Sequence, residues 1–460
     1  MNNQPSHNQS IIFEELDKLK QSFSFENEED EKNFYRKNSY LFATTSASLF
    51  RLMPQIPYSK HKSIFEKLLF NLQLLTLEEK YAEDFIQNFE IIDTENSLDK
   101  AQKGQPFLFC CFHTGAYSII PALLANKSLD FGFLANQTLT DRKGGHFLET
   151  HRKYCEKHGI NSTMQLINVE ENKGIWQAIR MLKEGKSLIV YADGNTGSNY
   201  SKKESQNTVS IEFLGENLRV RQGIAFLSYA CKVPIVPIIS SRVDDIEFSL
   251  KRKFSLLSPI YPPNFEKKNV TKEEISKEDF AAQTMQKLYS ILEKEITKNE
   301  TDLEKVSEWE GWIFVNKFFE NLHKPISLVE ETESSDSDKA KQSYIFNEKR
   351  FALIETKKES EENQKKTLFD KFTYRFFPVS DLLYEIIIYF SVPKKLYLFD
   401  KDNERIEVDK KVIKSSNSPI STSSDSPLID FDSKLQLSKT LISVSALEKL
   451  IEKNILVQYK

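Results

Sequence analysis

The sequence predicts an α/β fold in which a mainly parallel sheet is flanked by helices, preceded by a helical segment and followed by a small α+β domain. Residues 107–112 read Phe-Leu-Phe-Cys-Cys-Phe, an unbroken apolar run that is typical of a strand buried on both faces. Strand-like stretches at 166–169, 187–192 and 235–239 alternate with helix-like ones, as βαβ units do. Upstream, apolar residues recur at three- and four-residue steps as far as Ile92, which indicates amphipathic helices.

Changes in composition divide the chain into four parts. We predict a helical segment over residues 1–100, the α/β domain over 101–328, a linker over 329–342 and a small domain over 343–460. Within the linker, residues 330–338 are acidic and include no large apolar residue, so they cannot form a core.

The net charge, the cysteine spacing and the lack of long apolar runs limit the functions and locations that we expect for the protein. The 460 residues carry a net charge of −4, so no overall positive charge favours nucleic acid. The four cysteines lack the spacing of metal ligands, and a reducing compartment suits them. The first ten residues are polar, and no apolar run reaches the length of a membrane span. We expect a cytoplasmic protein whose membrane contact, if it has one, is peripheral.

The main candidate for chemistry is His113, which directly follows the apolar strand. Helical spacing resumes at Tyr117, so His113 lies where a strand ends and a helix begins, and open α/β sheets place their ligands at that edge. Histidine holds or passes a proton near neutral pH. Gly115 keeps the backbone beside it open.

Several motifs in a fixed order resemble a known family. A strand ending in His113 is followed about 80 residues later by Tyr-Ala-Asp-Gly-Asn at 191–195, then by Val-Ser-Ile-Glu-Phe-Leu-Gly at 209–215. Gly-Ile-Ala-Phe-Leu at 223–227 and Val-Pro-Ile-Val-Pro at 233–237 complete the set. The order resembles the lysophospholipid acyltransferase superfamily, nearest the bacterial lipid A (lauroyl/myristoyl) acyltransferases, over roughly residues 100–260.

The resemblance implies a reaction. A fatty acyl group would move from acyl-CoA or an acyl-carrier protein, with no further cofactor, to a hydroxyl or amine of a lipid or peptide acceptor. His113 would be the general base, and an acidic residue would be expected at position 118. The sequence has Ser118 there, which cannot stabilise an imidazolium by charge.

Another carboxylate can replace the missing acid. Asp193 follows another predicted parallel strand, whose end shares an edge of the sheet with His113. Asp-Gly-Asn is also a strong turn sequence by itself, so a purely structural Asp193 remains open. Asp141 and Glu170 are further acidic candidates.

Substrate-binding candidates surround this motif. The Gly115 amide or its neighbour is a candidate donor to the oxyanion that acyl transfer develops. Arg219 and Arg221 follow a turn at 213–215, and Arg152 lies in a predicted helix; each is a candidate partner for a donor phosphate, or an exposed surface arginine.

Other chemistries have weaker support. Cys111 would share a pleat face with His113, but a thiol within a buried strand behaves as an apolar group. Ser118 as a nucleophile lacks a Gly-x-Ser-x-Gly elbow. His146, His151 and His158 would lie on different faces of a helix, so we expect no metal site. Trp309 and Trp312 are expected to serve packing.

The final part of the chain resembles a winged-helix domain, and more particularly the PqqD-like domains that recognise peptides. A capped helix near 445–453 runs into an apolar strand at 455–457. No concentrated basic face favours DNA, so we expect a protein or peptide partner. Two alternatives stay open for the whole chain. One is a catalytically inactive acyltransferase fold that binds an acyl chain or peptide, and the other is a scaffold or DNA-linked regulator.

Overall fold

The computed structural model describes residues 7–194, 207–242, 250–263, 275–298, 303–326, 342–356, 365–398, 406–408, 435–437, 440–442 and 444–459. Asn195 and residues 329–341 of the predicted linker therefore lie outside the described residues. The chain forms two compact units. Unit 1 comprises Met1–Glu31 with Arg51–Leu322, and unit 2 comprises Lys32–Phe50 with His323–Lys460.

The elements follow in chain order. The helices are α1 His7–Gln21, α2 Glu28–Lys37, α3 Ser39–Leu52, α4 His61–Lys80, α5 Ala82–Ile86, α6 Ser97–Gln102, α7 Ile120–Asn126, α8 Gln137–His158, α9 Asn172–Lys183, α10 Gly223–Cys231, α11 Lys277–Ile296, α12 Leu303–Glu308, α13 Asp381–Tyr389 and α14 Val444–Glu452. The strands of unit 1 are β1 Phe89–Asp93, β2 Leu108–Cys111, β3 Phe131–Ala135, β4 Met164–Asn168, β5 Ser187–Tyr191, β6 Thr208–Phe213, β7 Glu216–Arg221, β8 Ile235–Arg242 and β9 Arg252–Leu256. Those of unit 2 are β10 Gln342–Phe346, β11 Phe351–Thr356, β12 Lys365–Asp370, β13 Arg375–Pro378, β14 Lys394–Leu398, β15 Ile406–Val408, β16 Leu435–Leu437, β17 Thr440–Ile442 and β18 Leu456–Tyr459.

A seven-stranded sheet in the order β1-β9-β8-β2-β5-β3-β4 forms the centre of unit 1. The five strands from β8 to β4 run parallel, whereas β9 is antiparallel to β8. Strand β2 has neighbours on both sides and is fully buried, as its apolar run predicts. The predicted α/β class with a mainly parallel sheet is confirmed.

One sequence prediction within this unit is wrong. The apolar spacing suggested a helix continuing to Ile92, but α5 ends at Ile86 and Phe89–Asp93 form β1. β1 pairs in parallel with β9, and the ring of Phe89 packs 4.7 Å from that of Phe254. Pairing with a distant strand outweighs a local periodicity that suits a helix.

The described part of unit 2 contains three small antiparallel sheets, β15-β14-β10-β18, β11-β12-β13 and β16-β17, and α13 and α14 pack in one core. Ser380 caps α13 by accepting a hydrogen bond from the Leu383 amide at 3.3 Å, as the sequence indicates. Within this unit, Ala43 and Ala47 of α3 pack with Ile354 and Phe369. The winged-helix resemblance stays a prediction.

Candidate active site

Adjacent strand ends bring His113 and Asp193 together. Strand β2 pairs in parallel with β5, with Cys111 opposite Tyr191, so the residues that follow each strand emerge at one edge of the sheet. His113 Nδ1 lies 2.9 Å from Asp193 Oδ1, although the two residues are 80 positions apart. The His113 side chain is 19% exposed and that of Asp193 is 1% exposed.

Four interactions hold the Asp193 carboxylate. The His113 amide donates to both oxygens, at 3.2 and 3.0 Å. The His113 ring contacts Oδ1, and the Trp309 indole Nε1 donates to Oδ2 at 2.8 Å. A carboxylate with this many donors is fixed in orientation, and its charge is well stabilised despite burial.

The geometry assigns roles to the two ring nitrogens of His113. Because Asp193 accepts from Nδ1, the neutral ring carries its lone pair on Nε2. Burial lowers the pKa of His113, but the charge and hydrogen bond of Asp193, with the charge of Glu310, outweigh it, so the pKa lies above its usual value. A carboxylate-supported imidazole with a free Nε2 lone pair is suited to take a proton from a substrate.

Aromatic rings surround the imidazole. The centroids of Tyr117, Tyr191 and Phe314 lie 4.7, 4.8 and 5.8 Å from that of His113. Tyr117 Oη donates a short hydrogen bond to Glu310 Oε2, and Tyr191 Oη donates to the Tyr117 carbonyl at 2.8 Å. Burial and the Glu310 charge raise the pKa of Tyr117 far above its usual value, so the phenol stays neutral and donates.

The backbone beside His113 is tightly packed. Gly115 has φ +56°, and a Cβ there would lie 2.4 Å from the Ser240 carbonyl oxygen, so only glycine fits. Its amide donates to the Glu308 carbonyl at 3.3 Å, and its role as a donor to the oxyanion stays a prediction. Gly194 also permits a close approach, since a Cβ there would lie 2.8 Å from His113 Cε1.

The His113–Asp193 pair does not include Ser118, Asp141 or Glu170. The Ser118 hydroxyl is buried and has no hydrogen-bond partner among the described residues. Both acidic residues instead contact Gln137, the first residue of α8. Asp141 accepts from its side chain at 2.6 Å, and Glu170 accepts from its backbone amide at 3.1 Å.

The three arginine candidates lie on two elements. Arg152 on α8 forms exposed ion pairs with Glu149 and Glu156. Arg219 on β7 is half-exposed, with Nε 3.5 Å from Glu320 Oε1. Arg221 ends β7 opposite Thr208. Their predicted contact with substrate phosphate stays a prediction.

The thiols of β2 behave as core groups. Cys110 and Cys111 are fully buried, and burial raises the pKa of both well above the usual range. A thiol held protonated in this way is a poor nucleophile. Among the described residues, no group of three or more His, Cys, Asp or Glu side chains is placed to hold a metal ion.

Comparison with known families gives a match that includes this site. Residues 76–303 match the family model of bacterial lipid A biosynthesis acyltransferase. In this region the chain is similar to the bacterial lipid A biosynthesis acyltransferases. A search of curated proteins found no match.

This family-model match supports acyltransferase activity in general. The matched region contains both His113 and Asp193, and it ends before Trp309, Glu310 and Phe314, which also line the site. No helix in the described part of the chain is long and apolar enough to cross a membrane.

The sequence did not predict most of the residues that surround His113 and Asp193. Tyr117 and Tyr191 stand beside the predicted catalytic positions, so proximity to the motif was an available signal. Trp309 was expected only to pack, and Glu310 was not singled out. No local pattern indicates that residues nearly 200 positions after His113 return to it.

Proposed function

We propose that this protein transfers a fatty acyl group from acyl-CoA or an acyl-carrier protein to a hydroxyl or amine of a lipid or peptide acceptor. His113 serves as the general base, and Asp193 as its acidic partner. The observation that carries the proposal is the 2.9 Å contact between His113 Nδ1 and Asp193 Oδ1, which leaves Nε2 available. Asp193 takes the place of the acid that position 118 lacks.

The reaction needs no acyl-enzyme. Nε2 takes the proton of the acceptor hydroxyl or amine while its oxygen or nitrogen attacks the thioester carbonyl. Asp193 stabilises the imidazolium that forms. The tetrahedral intermediate then collapses, the carbon–sulfur bond breaks, and His113 returns the proton to the thiolate. The products are an ester or amide and a free thiol.

A feature of α9 supports a lipid acceptor met at a membrane surface. Trp176 is 72% exposed and Ile175 41% exposed, with Lys173, Arg180 and Lys183 also exposed on this helix. Apolar and basic side chains together favour binding to anionic lipid. The helix follows β4 closely, so its first turns lie at the edge of the sheet that carries His113.

The membrane proposal is tested by sedimentation with vesicles of anionic phospholipid. Trp176→Ser should lower the bound fraction severalfold, whereas Ile92→Ser, at another exposed apolar residue, should not. Equal binding by both variants would refute α9 as the contact.

The central experiment measures thiol release from long-chain acyl-CoA and acyl-carrier protein, with a lipid extract and a peptide extract as separate acceptor sources. His113→Ala should lower release at least about 10²-fold, because general-base catalysis contributes 10²–10⁴-fold. His146→Ala removes an exposed histidine of α8 and should leave release unchanged. Equal release by the native protein and His113→Ala with every donor and acceptor would refute catalysis and favour a protein that only binds acyl chains.

A further inference from the structure

The segment Glu308–Glu310 lies against the candidate active site, although it follows the family-matched region in sequence. The Glu310 amide donates to the His113 carbonyl at 2.9 Å, and the Glu308 carbonyl accepts from the Gly115 amide at 3.3 Å. Thr114 and Trp309 form an isolated antiparallel bridge between these contacts. The segment therefore adds a short strand-like partner to the turn that carries His113.

Trp309 also reaches Asp193 through its side chain. The indole Nε1 donates to Asp193 Oδ2 at 2.8 Å, while His113 Nδ1 faces the other oxygen, Oδ1. Both Trp309 and Asp193 are 1% exposed, so water does not replace this donor readily. The ring is held in place by Phe213 at 5.4 Å and Trp312 at 4.9 Å.

The contact has a physical consequence for the base. A carboxylate free to rotate presents either oxygen, at varying distance, to the imidazole. An indole fixed in the core and bonded to Oδ2 restricts that rotation, so Oδ1 stays aligned with Nδ1. Small errors in alignment are costly in catalysis, about 10²-fold for a displacement of 1 Å.

We propose that Trp309 is a positioning residue that holds the Asp193 carboxylate in the orientation in which it supports His113. The inference rests on the proposed function, because it assigns Trp309 a part in the same proton transfer. Trp309 acts through the Asp193 carboxylate, to which its indole is hydrogen-bonded.

Trp312 provides a matched control. It is also fully buried, and its indole Nε1 donates at 2.7 Å to the Val306 carbonyl instead of a carboxylate. Trp309→Phe and Trp312→Phe each remove one buried indole hydrogen bond and a similar volume. Only the first variant removes a hydrogen bond to Asp193.

The kinetic test compares these variants in the full chain. Trp309→Phe should lower kcat about 10- to 100-fold, the range seen when groups that orient a reactive side chain are removed, with KM within threefold of native. Trp312→Phe should keep kcat within threefold. A similar fall in kcat for both variants would overturn the proposal and leave Trp309 with packing alone.

The spectroscopic test needs no turnover. The proton on His113 Nδ1 should give a downfield resonance in the native protein and in Trp312→Phe, and a weakened or shifted one in Trp309→Phe. The chain has three tryptophans, so three indole signals need assignment. As His113 titrates, with Asp193, Glu310, Tyr117 and Tyr191 facing its ring, the Trp309 indole proton should shift with the His113 midpoint. The Trp312 proton should not.

These measurements separate two kinds of failure. If native protein and His113→Ala release thiol equally, the proposed function fails, while the resonances still report whether Trp309 orients Asp193. If release depends on His113 but the Trp309 indole does not follow the titration, the positioning role fails alone. The titration uses native protein, so it holds even if Trp309→Phe does not fold.

Discussion

Two buried charged clusters in the described part of unit 1, each built around one carboxylate, have different consequences. At the candidate active site, Asp193 pairs with a histidine that is 19% exposed. In the second cluster, Glu78 of α4 accepts from Arg242 Nε and Nη2 at 3.0 and 2.9 Å and from Arg252 Nε at 2.6 Å. Glu78 is completely buried, and the arginines are 9% and 1% exposed.

The difference lies in which group can lose a proton. Burial raises the pKa of Glu78, but the two arginine charges and their hydrogen bonds outweigh it, so the carboxyl stays ionised. Guanidinium groups do not deprotonate in proteins. The Glu78 cluster therefore ties α4 to β8 and β9, whereas only the His113 cluster has a titratable nitrogen near solvent. Four substitutions test this contrast, from the largest expected effect to the smallest.

Asp193→Asn should abolish most activity. The amide cannot stabilise the imidazolium by charge, and the equivalent change in a serine protease triad costs about 10⁴-fold in kcat. We expect a loss of about 10³- to 10⁴-fold, measured as thiol release, with a lower pKa for His113 by NMR. Asp141→Asn, on α8, is the control. Activity within tenfold of native in Asp193→Asn would show that the pair is structural.

Glu78→Gln should destabilise the protein without touching His113. It removes the negative charge to which both buried guanidinium groups are hydrogen-bonded, and breaking a buried ion pair costs about 3–5 kcal/mol. A urea titration should show a lower midpoint. Glu149→Gln breaks the exposed pair with Arg152, which solvent screens, and should hardly change the midpoint. Equal midpoints for the two variants would contradict a stabilising role for the buried cluster.

Glu310→Gln should shift a pH profile more than it lowers activity. The Glu310 charge contributes to the raised pKa of His113, so its removal should lower that pKa. The acid limb of the kcat profile should move to lower pH, with kcat at its plateau within about tenfold. Glu320→Gln, which loses a contact with Arg219, is the control. An unchanged acid limb would remove Glu310 from the electrostatics of the base.

The same raised pKa links His113 to stability. A group whose pKa is higher in the folded state stabilises that state when protonated. This stabilisation is complete below the pKa of His113 in the unfolded state, near 6.5, and is lost as pH rises through its pKa in the folded state. The stabilisation should be smaller in Glu310→Gln. Urea titrations below pH 6.5 and above the folded-state pKa of His113 can measure the difference.

Ser118→Ala should have the smallest effect. The hydroxyl makes no hydrogen bond within the described residues, so its removal should change activity less than twofold. Losing a buried unsatisfied group is neutral to favourable, within about 1 kcal/mol of stability. A tenfold loss of thiol release would instead give the Ser118 hydroxyl a part in the reaction.

The sequence was informative where local pattern and topology agree. His113 and Asp193 were identified because parallel strands end at the same edge of a sheet, whatever lies between them in the chain. Trp309 and Glu310 reach the site through long-range packing, which leaves no periodic signal. Strand β1 was mistaken for a helix because Phe85, Phe89 and Ile92 also fit a helical spacing, and its partner β9 is more than 150 residues away in sequence.

The division of the chain into units affects the order in which the protein is made. Within unit 2, Ala43 and Ala47 of α3 pack against Ile354 and Phe369 of β11 and β12. Roughly 300 residues separate these partners, so at 5–20 residues per second α3 leaves the ribosome about 15–60 s before β11 and β12 follow. During this interval the central sheet of unit 1 is synthesised, and the apolar face of α3 has no contact with β11 and β12. A fragment that begins after residue 50 lacks this helix, so unit 2 is best expressed from the full chain.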